Sequence, residues 1–69
     1  MQNESLGEAL PKEQARVREV LSHYIALGPP GQFGARMIEA SLQAADRAVM
    51  DGDLMAMVAA YKDLQTIED

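Results

Sequence analysis

Between Val17 and Ile25 the apolar residues fall at positions 17, 20, 21, 24 and 25. Steps of three and four place them on one face of an α-helix. The opposite face carries Lys12, Arg16, Glu19 and His23. Pro11 suits the first turn of such a helix, where its missing N–H has no partner to lose. Glu13 in that turn complements the positive end of the helix dipole. Gly28 followed by Pro29 and Pro30 stops the periodicity. The pattern predicts a first helix over about 11–27. Residues 1–10, MQNESLGEAL, are mostly polar with Gly7 among them, and read as a frayed lead-in.

A second period follows. Phe33, Met37, Ile38, Leu42, Ala45 and Val49 share one face, opposite Arg36, Glu39, Gln43, Asp46 and Arg47, which predicts a helix over 33–50. Ser41, Ala44, Ala45 and Ala48 form a small-residue ridge beside that face. Such a ridge lets a neighbouring helix approach to the short end of the usual range of roughly 8–10 Å. Asp51-Gly52-Asp53 then stops one helix and starts another. Gly52 supplies a left-handed residue and Asp53 an N-cap acceptor. The third stripe is Leu54, Met57, Val58, Tyr61, Leu64 and Ile67, predicting a helix over 54–67. No segment alternates with period two, and β-branched residues are scattered. The expected fold is all-α, with a single domain over residues 11–69. It is a three-helix antiparallel bundle, or a helical hairpin plus a third helix.

Length changes this picture. A chain of 69 residues buries only about 60% of its unfolded surface, so its core is marginal. Small folds usually add a disulfide, a metal or a second subunit. The absence of cysteine excludes a disulfide, a thiolate metal site and a cysteine nucleophile. A single histidine, His23, excludes a multi-histidine zinc site. Close helix packing or a second copy must supply the stability. The third helix points to the second copy. Leu54 to Tyr61 contains no polar residue over two turns, apart from the tyrosine hydroxyl. A helix apolar all round is normally buried all round. One stripe can face the other helices, and Met55, Ala59 and Ala60 then face elsewhere. Together with Met50 and the ridge residues Ala44 and Ala48, they form the expected interface of a homodimer.

Six basic residues against eleven acidic ones give a net charge of −5. Nucleic-acid affinity comes mainly from phosphate neutralisation, so no nucleic-acid partner is expected. An anionic membrane surface is disfavoured for the same reason. The longest apolar run, Leu54 to Tyr61, falls far short of the roughly 20 residues that span a bilayer. The first ten residues lack the basic and apolar regions of a signal peptide. The expected compartment is the cytoplasm.

Candidate chemistry is sparse. His23 is the one side chain whose ordinary pKa lies near neutrality, and Glu19 sits four residues before it. The pair reads as a surface ion pair near a helix C-terminus, with no nucleophile at a fixed spacing. The glycine-rich stretch from Gly28 to Gly34 precedes a helix, as phosphate cradles do. It lacks the Lys and Ser/Thr of a P-loop and reads as a helix–helix turn. Asp51 and Asp53 are too few for a calcium loop and read as helix caps. A helix-turn-helix reader needs base-contacting residues on its recognition helix. Here Lys62 and Gln65 stand among Asp53, Asp63, Glu68 and Asp69. No cofactor, no metal and no enzymatic activity are expected.

Residues 41–64 resemble the turn and second helix of a tetratricopeptide hairpin, with Gly52-Asp53 followed by Tyr61 nine residues after the glycine. Met57 and Leu64 stand where that family has small residues, and Ala48 stands where it has a bulky aromatic. There is no 34-residue repeat. The resemblance implies a shared helix-hairpin geometry rather than membership. The expected function is a non-enzymatic protein–protein interaction or accessory module that presents an apolar helical surface. The alternative is an acidic regulator that masks a basic nucleic-acid-binding surface of a partner protein, supported by the net charge and the acidic C-terminal end.

Overall fold

The computed structural model describes residues 5–69. Three helices follow one another: α1 (Leu6–Ala26), α2 (Gln32–Asp51) and α3 (Leu54–Gln65). A 3-10 turn, Pro29–Gly31, joins the first two. The fold is an all-α three-helix bundle, with no strand among the described residues.

α1 begins at Leu6, not at Pro11, so residues 6–10 of the expected lead-in are helical. Residues 1–4 of that segment lie outside the described residues. Leu6 and Leu10 extend the apolar stripe of α1 by a further turn, and Leu10 is fully buried. The polar Gln14 occupies the core position between Leu10 and Val17, which hid this continuation from the hydrophobic pattern. The Glu8 carboxylate reaches back to accept from the Ser5 amide and hydroxyl, each at 3.2 Å. Pro11 therefore lies inside the helix, where it leaves the Gly7 carbonyl without its usual helical donor.

Side-chain contacts fix the helix directions. Gln14 Nε2 donates to Asp46 Oδ1 at 2.7 Å, and Arg18 Nη2 donates to both Asp46 oxygens at 3.0 and 3.2 Å. Further along α1, Tyr24 lies against Gly34 near the start of α2, so these two helices are antiparallel. Arg16 Nη2 donates to the Leu64 carbonyl at 3.0 Å, and His23 pairs with Asp69. α3 therefore runs parallel to α1 and antiparallel to α2.

The core is thin. Leu10, Val17 and Val20 meet Ile38, Leu42 and Ala45, closed by Ala60 and Leu64. Leu21, Tyr24, Met57 and Tyr61 pack half-buried around them. Ala35 and Ala48 are buried as well. So many alanines inside imply close helix approach, as the small-residue ridge predicts. The tightest point lies at the α1–α2 connection. A Cβ on Gly31 would stand 2.2 Å from the Tyr24 carbonyl oxygen, and one on Gly34 would stand 2.6 Å from the Tyr24 ring. At the other turn Gly52 is left-handed (φ 64°), as expected, and Asp53 accepts from the Ala56 amide at 3.1 Å.

Several residues of the expected core faces are outside. Ile25, Phe33 and Met37 are 57%, 76% and 59% exposed. Phe33 and Met37 lie roughly 100–150° round α2 from the buried Ile38, Leu42 and Ala45, on the side away from the core, and the helices also differ in length. α2 has twenty residues and α3 twelve, or about 30 Å against about 18 Å at 1.5 Å per residue. The Gly52 turn fixes where α3 starts, so α3 ends opposite the middle of α2. The first half of α2 and the end of α1 overhang it. The radius of gyration, 12.6 Å, exceeds the roughly 11 Å expected for a compact chain of this length. α3 ends at Gln65 rather than Ile67, and the tail continues forward along α1. There Ile67 is half-buried and the Tyr24 hydroxyl donates to the Glu68 carbonyl at 3.4 Å.

Two substitutions test the close packing. Ala45 is fully buried, and Ala45→Leu should destabilise by about 1–3 kcal/mol through overpacking. Gly31→Ala should destabilise by a similar amount, about 1–3 kcal/mol, because the obstacle is backbone and cannot rotate away. Chemical denaturation followed by circular dichroism measures both.

Candidate interaction surface

The six residues expected at a dimer interface do not come together on one face. Ala60 and Ala48 are 7% and 4% exposed and belong to the intrachain core. Ala60 lies on the inward side of α3 with Met57 and Leu64, roughly 80° round the helix from the stripe centre that the sequence pattern indicates. Met55 and Ala59 are exposed on the outer side of α3, as expected. Met50 and Ala44 are exposed on α2. They stand six positions apart, which separates them by about 120° around the helix axis. A single seam through all six is therefore excluded.

The large exposed apolar side chains fall into two groups instead. Val49, Met50, Leu54 and Met55 flank the Gly52 turn, with Met50 and Met55 the most exposed at 85% and 80%. Ile25, Leu27, Phe33 and Met37 surround the α1–α2 connection. Ile25, Gly28, Pro29, Gln32 and Ala35 line a shallow depression between them. On α2 the second group continues along the helix. Phe33, Met37, Ala40 and Ala44 are all exposed and follow steps of four, three and four, an outer stripe distinct from the buried one. The sequence pattern contains this spacing. Phe33 and Met37 were expected on the inward face, but they stand roughly 100–150° round the helix from its centre.

The polar side chains are used structurally. Asp46 accepts from Gln14 and Arg18, which ties α1 to α2. Arg16 is held by Glu13 at 2.9 Å while it also reaches the Leu64 carbonyl. His23 pairs with Asp69 at 2.7 Å, not with the expected Glu19. The Asp69 hydrogen bond and charge raise the His23 pKa above its ordinary 6.5, with Glu19 adding a smaller charge effect. Among the described residues no group of three or more His, Asp or Glu could hold a metal ion. No helix among them is long and apolar enough to cross a membrane. No protein-family model, curated protein or solved structure matches the chain.

The His23–Asp69 pair gives a signed expectation. Folding raises the pKa, so the contribution is present below about pH 6.5 and is lost as pH rises through the raised value. Asp69→Asn should bring the His23 pKa back towards its ordinary value, as read by NMR titration of the imidazole. His23→Ala should leave the melting temperature close to wild type, as for most surface substitutions.

Proposed function

We propose that this chain is a non-enzymatic interaction module that presents apolar helical surface to other protein chains. The observation that carries the reading is the placement of its large apolar side chains. Eight of them are 45–85% exposed, in two groups rather than scattered. Clustered exposed apolar surface marks interaction sites on small proteins. The group at the Gly52 turn is rich in methionine, an unbranched side chain that adapts to irregular partner surfaces. His23, the group that titrates near neutrality, stands in a surface pair with Asp69. That placement also favours a role outside catalysis. A cysteine-free sequence suits a reducing compartment such as the cytoplasm.

The test is capture from native cells with the tagged wild-type chain and with a Met50→Glu, Met55→Glu double variant. Both side chains are largely outside the core, so helical circular dichroism and melting temperature should match wild type. The wild type should retain a specific protein and the variant should lose it. Equal retention by both chains would show that this surface is not used. Retention of nothing specific by either chain would remove the basis for a partner at the turn.

A further inference from the structure

We propose that residues 66–69 form a strap along the end of α1, and that the charge on His23 sets whether the strap is closed. α3 stops at Gln65, and the strap continues its path beside the last turns of α1. Its root is fixed. The Thr66 hydroxyl donates to the Asp63 carbonyl at 2.6 Å. The Ile67 amide and Arg16 Nη2 both donate to the Leu64 carbonyl, each at 3.0 Å. Its outer part is held by two consecutive residues of α1. The Tyr24 hydroxyl donates to the Glu68 carbonyl at 3.4 Å, and His23 Nδ1 lies 2.7 Å from Asp69 Oδ1. Ile67, half-buried on the core, is the single large apolar side chain among the four residues. A surface ion pair adds little to a rigid fold. Here it acts on a short segment with little apolar burial, so a small contribution decides between closed and open.

The chemistry of the pair makes it a switch. At 2.7 Å a proton lies between Nδ1 and the carboxylate oxygen. The imidazolium supplies that proton together with a full charge. The neutral ring has one N–H for two nitrogens. When that N–H is on Nε2, the Nδ1 lone pair faces the carboxylate and the contact is repulsive. Asp69 of the strap favours the charged ring most, through its hydrogen bond and its charge, and Glu19 of α1 adds to it. No charged group of α2 or α3 bears on the ring. Arg16, two turns before His23 on α1, is paired with Glu13 and also feels the charges of Glu68 and Asp69. The acidic strap therefore lies beside two cationic groups of α1, of which only His23 changes charge near neutrality. The strap is closed while His23 is protonated and opens as pH rises through its raised pKa. Opening frees Ile67 and the Tyr24 hydroxyl, while the Tyr24 ring stays against Gly34.

Backbone NMR relaxation of residues 66–69, followed from about pH 5.5 to about pH 8.5 across the histidine range, tests the strap. At the acid end these residues should be as ordered as α1 on the fast timescale that relaxation reports. Their order should fall as the His23 imidazole titrates. By reciprocity, the ratio of closed to open strap should change by the same factor as closing changes the proton affinity of the ring. That factor is read from the difference in His23 pKa between the wild type and Asp69→Asn. His23→Gln, neutral throughout, should loosen the strap at both ends of the range. His23→Lys, cationic throughout, should keep it ordered at both. Helical circular dichroism should match wild type in every variant. Residues 66–69 that are mobile even at the acid end would overturn the strap itself. Order that stays constant while His23 titrates, or that is undiminished in Asp69→Asn, would overturn control by the charge. Neither readout needs a partner chain, so these outcomes leave the interaction-module reading to its own capture test.

Discussion

The approach of α1 to α2 at Tyr24 constrains the rest of the structure. Gly31 and Gly34 lie so near Tyr24 that neither has room for a Cβ without a shift. From that contact the two helices run antiparallel to the Gln14–Asp46–Arg18 bridge. Between these points the interior holds Ala35 and Ala45 as well as Ile38 and Leu42. Helices that approach this closely leave space mainly for small side chains. A cysteine-free chain with no metal cluster among its described residues rests on such packing, where dispersion contacts are individually weak and collectively large.

The same constraint explains the surface. Small residues fill the interior, so several of the largest apolar side chains have no place inside. Phe33 and Met37 lie on the side of α2 away from the core, with Ala40 and Ala44, and are left in solvent. At the opposite end the Gly52 turn brings two helix termini together without a third element over Met50 and Met55. The interaction-module reading thus follows from where the apolar residues stand around the helices, not only from their count.

Much of the fold was legible in the sequence. Periodicity located α2 and α3 to within about two residues, and the glycine and proline signals marked both breaks. Gly52 and Asp53 act as their residue types suggest. Two features were not legible. The polar Gln14 sits in a core slot because Asp46 satisfies it across the bundle, a pairing 32 residues distant that no local pattern reveals. The division of α2 into a covered half and an uncovered half depends on where α3 ends in space. For the interface, the exposed Met50, Met55, Ala59 and Ala44 were anticipated, whereas Ala48 and Ala60 are core. Small residues fit a tight interior as well as a tight interface, and composition alone does not separate these. The tail contact between His23 and Asp69 spans 46 positions and was equally hidden.

The central claim is that apolar side chains excluded from the monomer core serve association with other protein chains. The most direct measurement follows the methionine methyl resonances of the labelled wild-type chain as unlabelled protein from native cells is added. The account predicts that the methyls of the exposed Met50 and Met55 shift or broaden before that of the half-buried Met57. Methyl resonances that all stay unchanged would contradict it.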